Sequence, residues 1–271
     1  MRLGLYYSHQ GRRRHAASPW VRLASQLVLP LSLVVVAAAA LLGGAAWLVP
    51  ETYDAQAGVL LAAVGASALR LFGAYLLALA LGVPLGLLAE GSRRVESVLL
   101  PVYDVLESLP VLAFFPVIIL FFLESGWLEG AAIFILFFSM LWTIAFSTIG
   151  GLKQIPRDVR AAGVTFGLSF WQRFRRILLP GLFPPLLTAS ILAVADGWNI
   201  VIVAEALHAY APATAVARDL FGIGSILVNA SAAGQQALLL SAMGLLVVFI
   251  ALVNFFLWQP LLARAERYKF E

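Results

Sequence analysis

Four ionisable side chains lie inside long apolar stretches of the sequence and are its first candidates for chemistry. They are Arg70, Asp104, Glu107 and Asp196. A charged side chain is unfavourable inside a bilayer, so such residues are expected to line a transport path or to pair with one another. At about 1.5 Å of rise per residue, Arg70 and Asp196 fall toward the same side of the membrane and could pair. A structural charge pair and a path-lining role are both left open for these two residues.

Polar and aromatic residues follow Glu107 and Asp196 closely in the sequence. Trp198 could belong to the aromatic belt at the membrane surface, but its polar neighbours favour a face turned inward. The predicted translocation path consists of Arg70, Glu107, Ser108, Pro110, Asp196, Trp198, Asn199 and Glu205.

The residue combinations of the common enzyme sites are missing. The chain has no cysteine, and its three histidines, at positions 9, 15 and 208, have no metal-ligand spacing. There is no phosphate-binding loop, zinc-protease motif or nucleophile elbow. The sequence therefore predicts neither an enzyme nor a metal or cofactor site, and an energised transporter would need an ATP-hydrolysing partner.

The composition is that of an integral membrane protein. Of 271 residues 62% are hydrophobic and only 12% are charged, and the mean hydropathy is +0.95. Uncharged stretches of roughly 20 residues can cross a bilayer as helices. The sequence predicts six spans within a permease domain over 27–262, namely about 27–49, 60–89, 98–123, 127–150, 181–206 and 236–262. A cleaved signal peptide is the competing interpretation of the first run.

The basic residues indicate how these spans are oriented. Sixteen of the 18 Lys and Arg residues fall in the N-terminal segment 1–26, the second and fourth loops, and the tail 263–271. Cytoplasmic loops carry an excess of Lys and Arg. Both termini are therefore predicted in the cytoplasm of a multi-pass membrane protein. A membrane explains the basic charge better than nucleic acid does.

Proline and glycine refine the predicted helices. Pro101, Pro110 and Pro116 predict a kinked or broken third span that lines a cavity. Gly82 and Gly86 have the spacing that lets two helices approach closely, within the bundle rather than in a homodimer. The long fifth loop, 207–235, is expected to hold a short amphipathic helix along the outer membrane surface, and its apolar patch consists of Val216, Leu220 and Phe221.

A basic segment in the fourth loop has the local design of a docking surface. A short helix is predicted from Pro156 to about Thr165, and Gly167 breaks it. Ser169 and Gln172 form a capping box that opens a second helix, which Pro180 is expected to end. On that second helix three basic residues lie away from the apolar stripe, namely Arg173, Arg175 and Arg176.

This segment resembles the Glu-Ala-Ala loop of the membrane subunits of bacterial ABC importers, the binding-protein-dependent type I permeases. The family spacing is reproduced from Ala161 to Pro180, but Ala161 replaces the name-giving glutamate and Gly163 the second alanine. The resemblance implies a cytoplasmic coupling helix that fits an ATPase subunit, formed by Ala161, Ala162, Gly163, Gly167, Ser169, Trp171, Gln172, Arg173, Arg175, Arg176 and Pro180.

Other motifs look like the nitrate, sulfonate, taurine and bicarbonate branch of these permeases. They are Gly197-Trp198-Asn199, Ala204-Glu205 and Gly222-Ile223-Gly224, and the interval between the last two is longer than expected. The resemblance implies an all-α integral membrane fold, the six-helix transmembrane domain of a type I ABC importer with a coupling helix. It also implies a place in the bacterial inner membrane.

The resemblance also implies the partners. These are a second permease subunit, with a homodimer favoured, two cytoplasmic ABC ATPase subunits that bind ATP and Mg, and an external solute-binding protein. The implied solute is a small anion. Glu107 and Asp196 would repel an anion, so a neutral or aromatic nutrient such as a vitamin precursor stays open. An ATP-independent secondary transporter or channel is the rival from another class.

Overall fold

A computed structural model describes residues 53–90, 93–209 and 218–266 of the chain. Within these ranges the chain is helical and contains no β-strand. The predicted segments 1–26 and 27–49, the end of the tail and Val216 lie outside the described residues.

The helices are numbered here from the first one described. They are α1 (Tyr53–Glu90), α2 (Arg93–Ser108), α3 (Phe115–Glu124), α4 (Leu128–Gln154), α5 (Arg157–Thr165), α6 (Phe170–Arg173), α7 (Leu179–Glu205), α8 (Ile223–Ala232), α9 (Gln236–Val253) and α10 (Gln259–Ala265).

In the described part of the chain, four helical stretches are long and apolar enough to cross a membrane. They are Ala57–Ala89, Leu128–Gln154, Trp171–Glu205 and Gln236–Ala265. A fifth candidate is the pair α2 and α3, which is bent by 73°. The break predicted near Pro110 is present, because Pro110 is extended with φ −67° and ψ 108°. Pro101, by contrast, lies within α2.

Helices α1, α4 and α7 pack closely because glycines remove side chains from their contacts. A Cβ atom on Gly82 would lie 2.9 Å from Ile144, and one on Gly86 would lie 2.5 Å from Thr148, both on α4. Gly151 of α4 meets Pro185 of α7 in the same way. The prediction that Gly82 and Gly86 serve packing inside the bundle is confirmed.

The prediction that Pro180 ends a helix is wrong. The chain runs without interruption from α6 through a π-helical turn, Phe174–Leu178, into α7. In that turn the amide of Leu179 donates to the carbonyl of Phe174, five residues earlier. A π turn widens the helix where proline removes an N–H and crowds the preceding turn, so the helix continues. A second π turn, Asn254–Trp258, precedes Pro260 in the same way.

The predicted surface helix in the 207–235 loop is also different from expectation. The helix observed there, α8, begins after Gly222, and its residues Ile223, Leu227 and Ala230 are buried. It packs against α7, α9 and α1 rather than lying along a surface. The reason is that the segment after Gly222 is apolar on several sides, so burial against three helices removes more apolar surface than a one-sided contact would.

The glycine contacts lead to a matched stability prediction. Gly86→Ala should lower the free energy of unfolding by about 1–3 kcal/mol, because the added methyl group overpacks the contact with Thr148. Gly150→Ala places the same group where nothing lies within 4 Å, and should raise that energy by about 0.5–1 kcal/mol through helix propensity. Denaturant unfolding in detergent measures both, and equal effects would contradict the packing role.

Candidate functional site

Arg70 joins three helices and the approach to a fourth at one end of the bundle. Its Nε and one terminal nitrogen donate to the two carboxylate oxygens of Glu129, at 2.5 and 2.8 Å. Its other terminal nitrogen donates to Glu205 at 2.6 Å. The Phe221 carbonyl accepts a further bond at 2.9 Å. Since Arg70 belongs to α1, Glu129 to α4 and Glu205 to α7, the guanidinium ties these helices to the segment that enters α8.

Glu205 is fully buried and has hydrogen-bond donors on both carboxylate oxygens. The hydroxyl of Ser67 donates to one oxygen at 2.7 Å, and the amide of Gly224 donates to the other at 2.8 Å. The Ser67 hydroxyl in turn accepts from the amide of Ile223 at 2.9 Å. The first turn of α8 therefore points its amides and its dipole at this carboxylate, which favours a negative charge there. We call Ser67, Arg70, Glu129 and Glu205 the arginine network.

The close contact between the start of α8 and the end of α7 explains the sequence Gly222-Ile223-Gly224. A Cβ atom on Gly222 would collide with the carboxylate of Glu205, and one on Gly224 would lie 2.7 Å from the backbone of α7. Glycine is required because the start of α8 approaches α7 at backbone distance. The motif at 222–224 is therefore part of the same arrangement as Glu205.

Arg70 and Asp196, for which the sequence left a charge pair open, do not pair. Arg70 pairs with Glu129 and Glu205, whereas Asp196 is exposed on the surface of the described chain. Asp196 and Glu205 are nine residues apart, which at 100° per residue places them on opposite faces of α7. Only one of them can face α1.

Sequence reasoning missed Ser67 and Glu129. A signal for Ser67 existed, because it lies three residues before Arg70 and so shares its helix face. Glu129 gives no such signal in the sequence, and the structure places it in the first turn of α4. Its side chain is 46% exposed, so it forms the outer part of the network.

All of the other predicted path residues except Trp198 lie on exposed faces. On α2 and the break after it, Asp104, Glu107, Ser108 and Pro110 are exposed. On α7, Asn199 is exposed along with Asp196, but Trp198 is buried and packs edge-on against Phe249 with ring centroids 5.7 Å apart. The structure thus groups Glu205 with Arg70 and separates both from the exposed acids. Their role in a path stays a prediction.

At the opposite end of α7, the segment 157–178 forms a compact double turn. Gly167 adopts a positive φ of 65°, and the amide of Leu168 donates to the Gly163 carbonyl, so α5 ends in a Schellman arrangement. The predicted capping box is present, because Ser169 and Gln172 exchange hydrogen bonds at 2.9 and 3.3 Å.

This double turn presents large apolar side chains and basic groups. Phe166 is 80% exposed and Trp171 is 65% exposed, and the Trp171 ring stacks on Phe174. Arg175 and Arg176 are exposed as well. We call Phe166, Trp171, Arg175 and Arg176 the turn surface. Phe166 was not among the predicted coupling residues, and only its position beside Gly167 could have suggested it.

The interior of the double turn is closely packed at Gly163. A Cβ atom on Gly163 would lie 2.7 Å from Ile177, so glycine permits α5 to lie against the π turn. Ala161 is exposed. The Nε atom of Arg173 is buried and, in the described part of the chain, has no hydrogen-bond partner.

An acidic clasp closes the connection between α7 and α8. Asp219 accepts from the backbone amide of His208 at 3.1 Å and from the Asn229 side chain at 3.0 Å, and the His208 ring nitrogen lies 2.6 Å away. Burial alone raises the pKa of the Asp219 carboxyl, but the hydrogen bonds from Asn229 and His208 outweigh it and hold that pKa below its usual value.

The arginine network yields a prediction on stability. Arg70→Gln should lower the free energy of unfolding by about 3–5 kcal/mol, because it leaves the Glu205 carboxylate buried without a cation. Glu129→Gln should cost about 1 kcal/mol or less, since that carboxylate is half exposed. The double variant Arg70→Gln with Glu205→Gln should be more stable than Arg70→Gln alone. Thermal and denaturant unfolding of the wild type and the three variants test this, and a double variant less stable than Arg70→Gln alone would contradict it.

The clasp yields a prediction on pH. Because the folded-state pKa of Asp219 is lowered, its contribution is complete above its usual value of 3.8 and is lost as the pH falls through the lower folded value. The amide of Leu220, which donates to the Glu205 carbonyl, should lose hydrogen-exchange protection in that range. Asp219→Asn should show weak protection at every pH. A pH response that survives this substitution would exclude the carboxylate as its source.

Comparison with known proteins identifies the family. The model of the binding-protein-dependent transport system inner membrane component family matches residues 82–268. The nitrate import permease protein NrtB of Leptolyngbya laminosa is 32% identical over 144 residues, covering 53% of this chain and 50% of that protein. The taurine transport system permease protein TauC of Escherichia coli is 27% identical over 146 residues, covering 54% of this chain and 52% of that protein.

A third curated relative is also named as a transport permease, and a solved structure shares the fold. The bicarbonate transport system permease protein CmpB of Synechococcus elongatus is 27% identical, covering 52% of this chain and 49% of that protein. The chain thus spans about half the length of these curated relatives. The MetNI methionine ABC transporter in an inward-facing form matches with a TM-score of 0.65 at 20% identity, covering 76% of this chain and 96% of that chain.

These findings agree with the helical spans and with the absence of enzyme motifs from the sequence. The curated relatives named here are permeases rather than enzymes. The MetNI likeness shows that the described helices adopt the fold of an importer's membrane subunit. Because the family model covers most of the sequence, the chain belongs to the binding-protein-dependent transport system inner membrane components.

Proposed function

We propose that this chain is the permease subunit of an ATP-driven importer, energised through the turn surface. The observation that carries the proposal is the unbroken helical stretch Trp171–Glu205, which joins the turn surface directly to the arginine network. At about 1.5 Å per residue its 35 residues extend about 50 Å. A displacement of the double turn would therefore reach the far end of the bundle through one helix.

The turn surface has the chemistry of a protein interface. Exposed aromatic residues and arginines are the types that dominate binding energy in interfaces. The partner we propose is a cytoplasmic ABC ATPase subunit, which would bind the ATP and Mg. Ala161 offers no carboxylate where the family pattern has a glutamate, so the charge contact would come from the exposed Arg175 and Arg176 to acidic groups of the partner.

The translocation path is proposed on the exposed polar faces of α2 and α7. Asp104 and Glu107 on α2, with Asp196 and Asn199 on α7, are exposed in the single chain. Facing lipid would be unfavourable for these carboxylates, so a water-filled space shared with a second permease subunit is the better setting. The bend after Ser108 gives α2 a hinge, and rocking of the bundle would open the path on one side at a time.

Two classes of solute are proposed. The names of the relatives favour a small anion such as nitrate, bicarbonate or a sulfonate, delivered by an external binding protein. The second candidate is a neutral nutrient, and a specific observation favours it. The exposed polar faces of α2 and α7 carry three carboxylates. Arg70 is the basic residue that lies within a described span rather than near its end, and it is already paired with Glu129 and Glu205.

The proposal predicts how the ATPase is held. Phe166→Ala and Trp171→Ala should each weaken binding of the co-expressed ATPase subunit by about thirtyfold, because interface aromatic residues of this kind contribute about 2 kcal/mol. Co-purification and ATP hydrolysis in detergent are the measurements. The matched control is Phe121→Ala, which removes an aromatic ring that is 68% exposed on an apolar helix and should change neither.

The same preparation tests the energy source. Uptake into proteoliposomes should require the ATPase and should fall with the Phe166 and Trp171 variants in step with ATPase binding. Uptake that continues with no ATPase bound would instead identify an ATP-independent carrier and overturn the proposal.

A further inference from the structure

One face of α1 carries glycines that touch nothing in the described chain. A Cβ atom added at Gly58, Gly65 or Gly73 would have no atom within 4 Å. At 100° per residue these three positions fall within about 80° of one another, so they form a single stripe. Leu69, in the middle of this stripe, is 75% exposed. We call this the glycine face of α1.

Glycine has a different use at other places in the bundle. Gly82 and Gly86 in the second half of α1, Gly151 on α4 and Gly197 on α7 each lie where a Cβ atom would collide with a neighbouring helix. Glycine inside a helix costs about 0.5–1 kcal/mol relative to alanine. In those places close helix contact offsets that cost. The glycine face has no such contact within the described residues.

We propose that residues 27–49 of the same chain pack antiparallel against the glycine face. Only residues 50–52 separate this apolar run from the start of α1 at Tyr53. A connection this short makes two helices antiparallel neighbours. As a helix, the run would extend about 34 Å, and the stripe from Gly58 to Gly73 extends about 22 Å, so the run is long enough to cover it.

The composition of the run suits this contact. It carries no charged residue, and its centre holds Ala37–Ala40 followed by Gly43 and Gly44. Small residues on two facing helices let their backbones approach closely in a membrane. With the connection at 50–52, Gly44 comes opposite Gly58 and the stretch Ala37–Ala40 comes opposite Gly65. Small residues therefore meet small residues along the shared length.

The chain is well suited to a direct test because it contains no cysteine. Gly44→Cys combined with Gly58→Cys, and each of Ala37→Cys to Ala40→Cys combined with Gly65→Cys, are oxidised in membranes with copper phenanthroline. A disulfide requires Cα atoms within about 7 Å. We expect the first pair and at least one pair of the series to close within a single chain. The readout is loss of labelling by a maleimide polymer with no change to a dimer mass.

The matched control is Val59→Cys with Gly44→Cys. Val59 is adjacent to Gly58 and 52% exposed but lies about 100° around the helix, so its disulfide should form at least about tenfold more slowly. Equal rates at positions 58 and 59 would overturn the proposal. A disulfide-linked dimer would assign the face to a second copy, free thiols in an intact chain would assign it to lipid, and loss of residues 27–49 from the mass would show cleavage. Each of these overturns it.

Discussion

The arrangement of the bundle depends on one fully buried carboxylate. Glu205 has no contact with solvent, so its charge must be balanced by groups that the fold supplies. Arg70 comes from one helix, Ser67 from the turn before it, and the Gly224 amide from the start of α8. Moving any of these groups away would leave a charge in an apolar interior. The end of α7, the middle of α1 and the start of α8 are therefore fixed relative to one another.

Because this end of the bundle is fixed, the helical stretch Trp171–Glu205 is anchored at its Glu205 end. Glycine contacts hold α4 against α1 on one side and α7 on the other, and they bring these backbones close together. The double turn at the opposite end is held by its own caps, since Gly167 closes α5 and the Ser169–Gln172 box opens α6. Between them lies an uninterrupted helix. The two ends of the molecule are thus connected along one continuous helical backbone as well as through side-chain contacts.

Hydropathy, proline and capping patterns were enough to predict the helical class, the break near Pro110 and the Ser169–Gln172 box, because each depends on neighbouring residues alone. The same patterns failed where distant parts of the chain decide the outcome. The partner of Arg70 depends on which face of α7 turns toward α1, and spacing along the membrane normal cannot distinguish Asp196 from Glu205. Pro180 was expected to end a helix because proline usually does, but a π turn accommodates it and the helix continues.

The π turn at Phe174–Leu178 also sets the rotation of everything that follows it. A π turn holds one residue more than the α-helical turn it replaces, so it shifts the facing of later residues by about 100°. Relative to the turn surface, the directions in which Glu205 and Asp196 point therefore depend on that extra residue. The number of residues in the π turn thus sets the rotation of α7 about its own axis. An insertion or deletion in this turn would rotate the end of α7 that carries Glu205, about 40 Å away, relative to the turn surface.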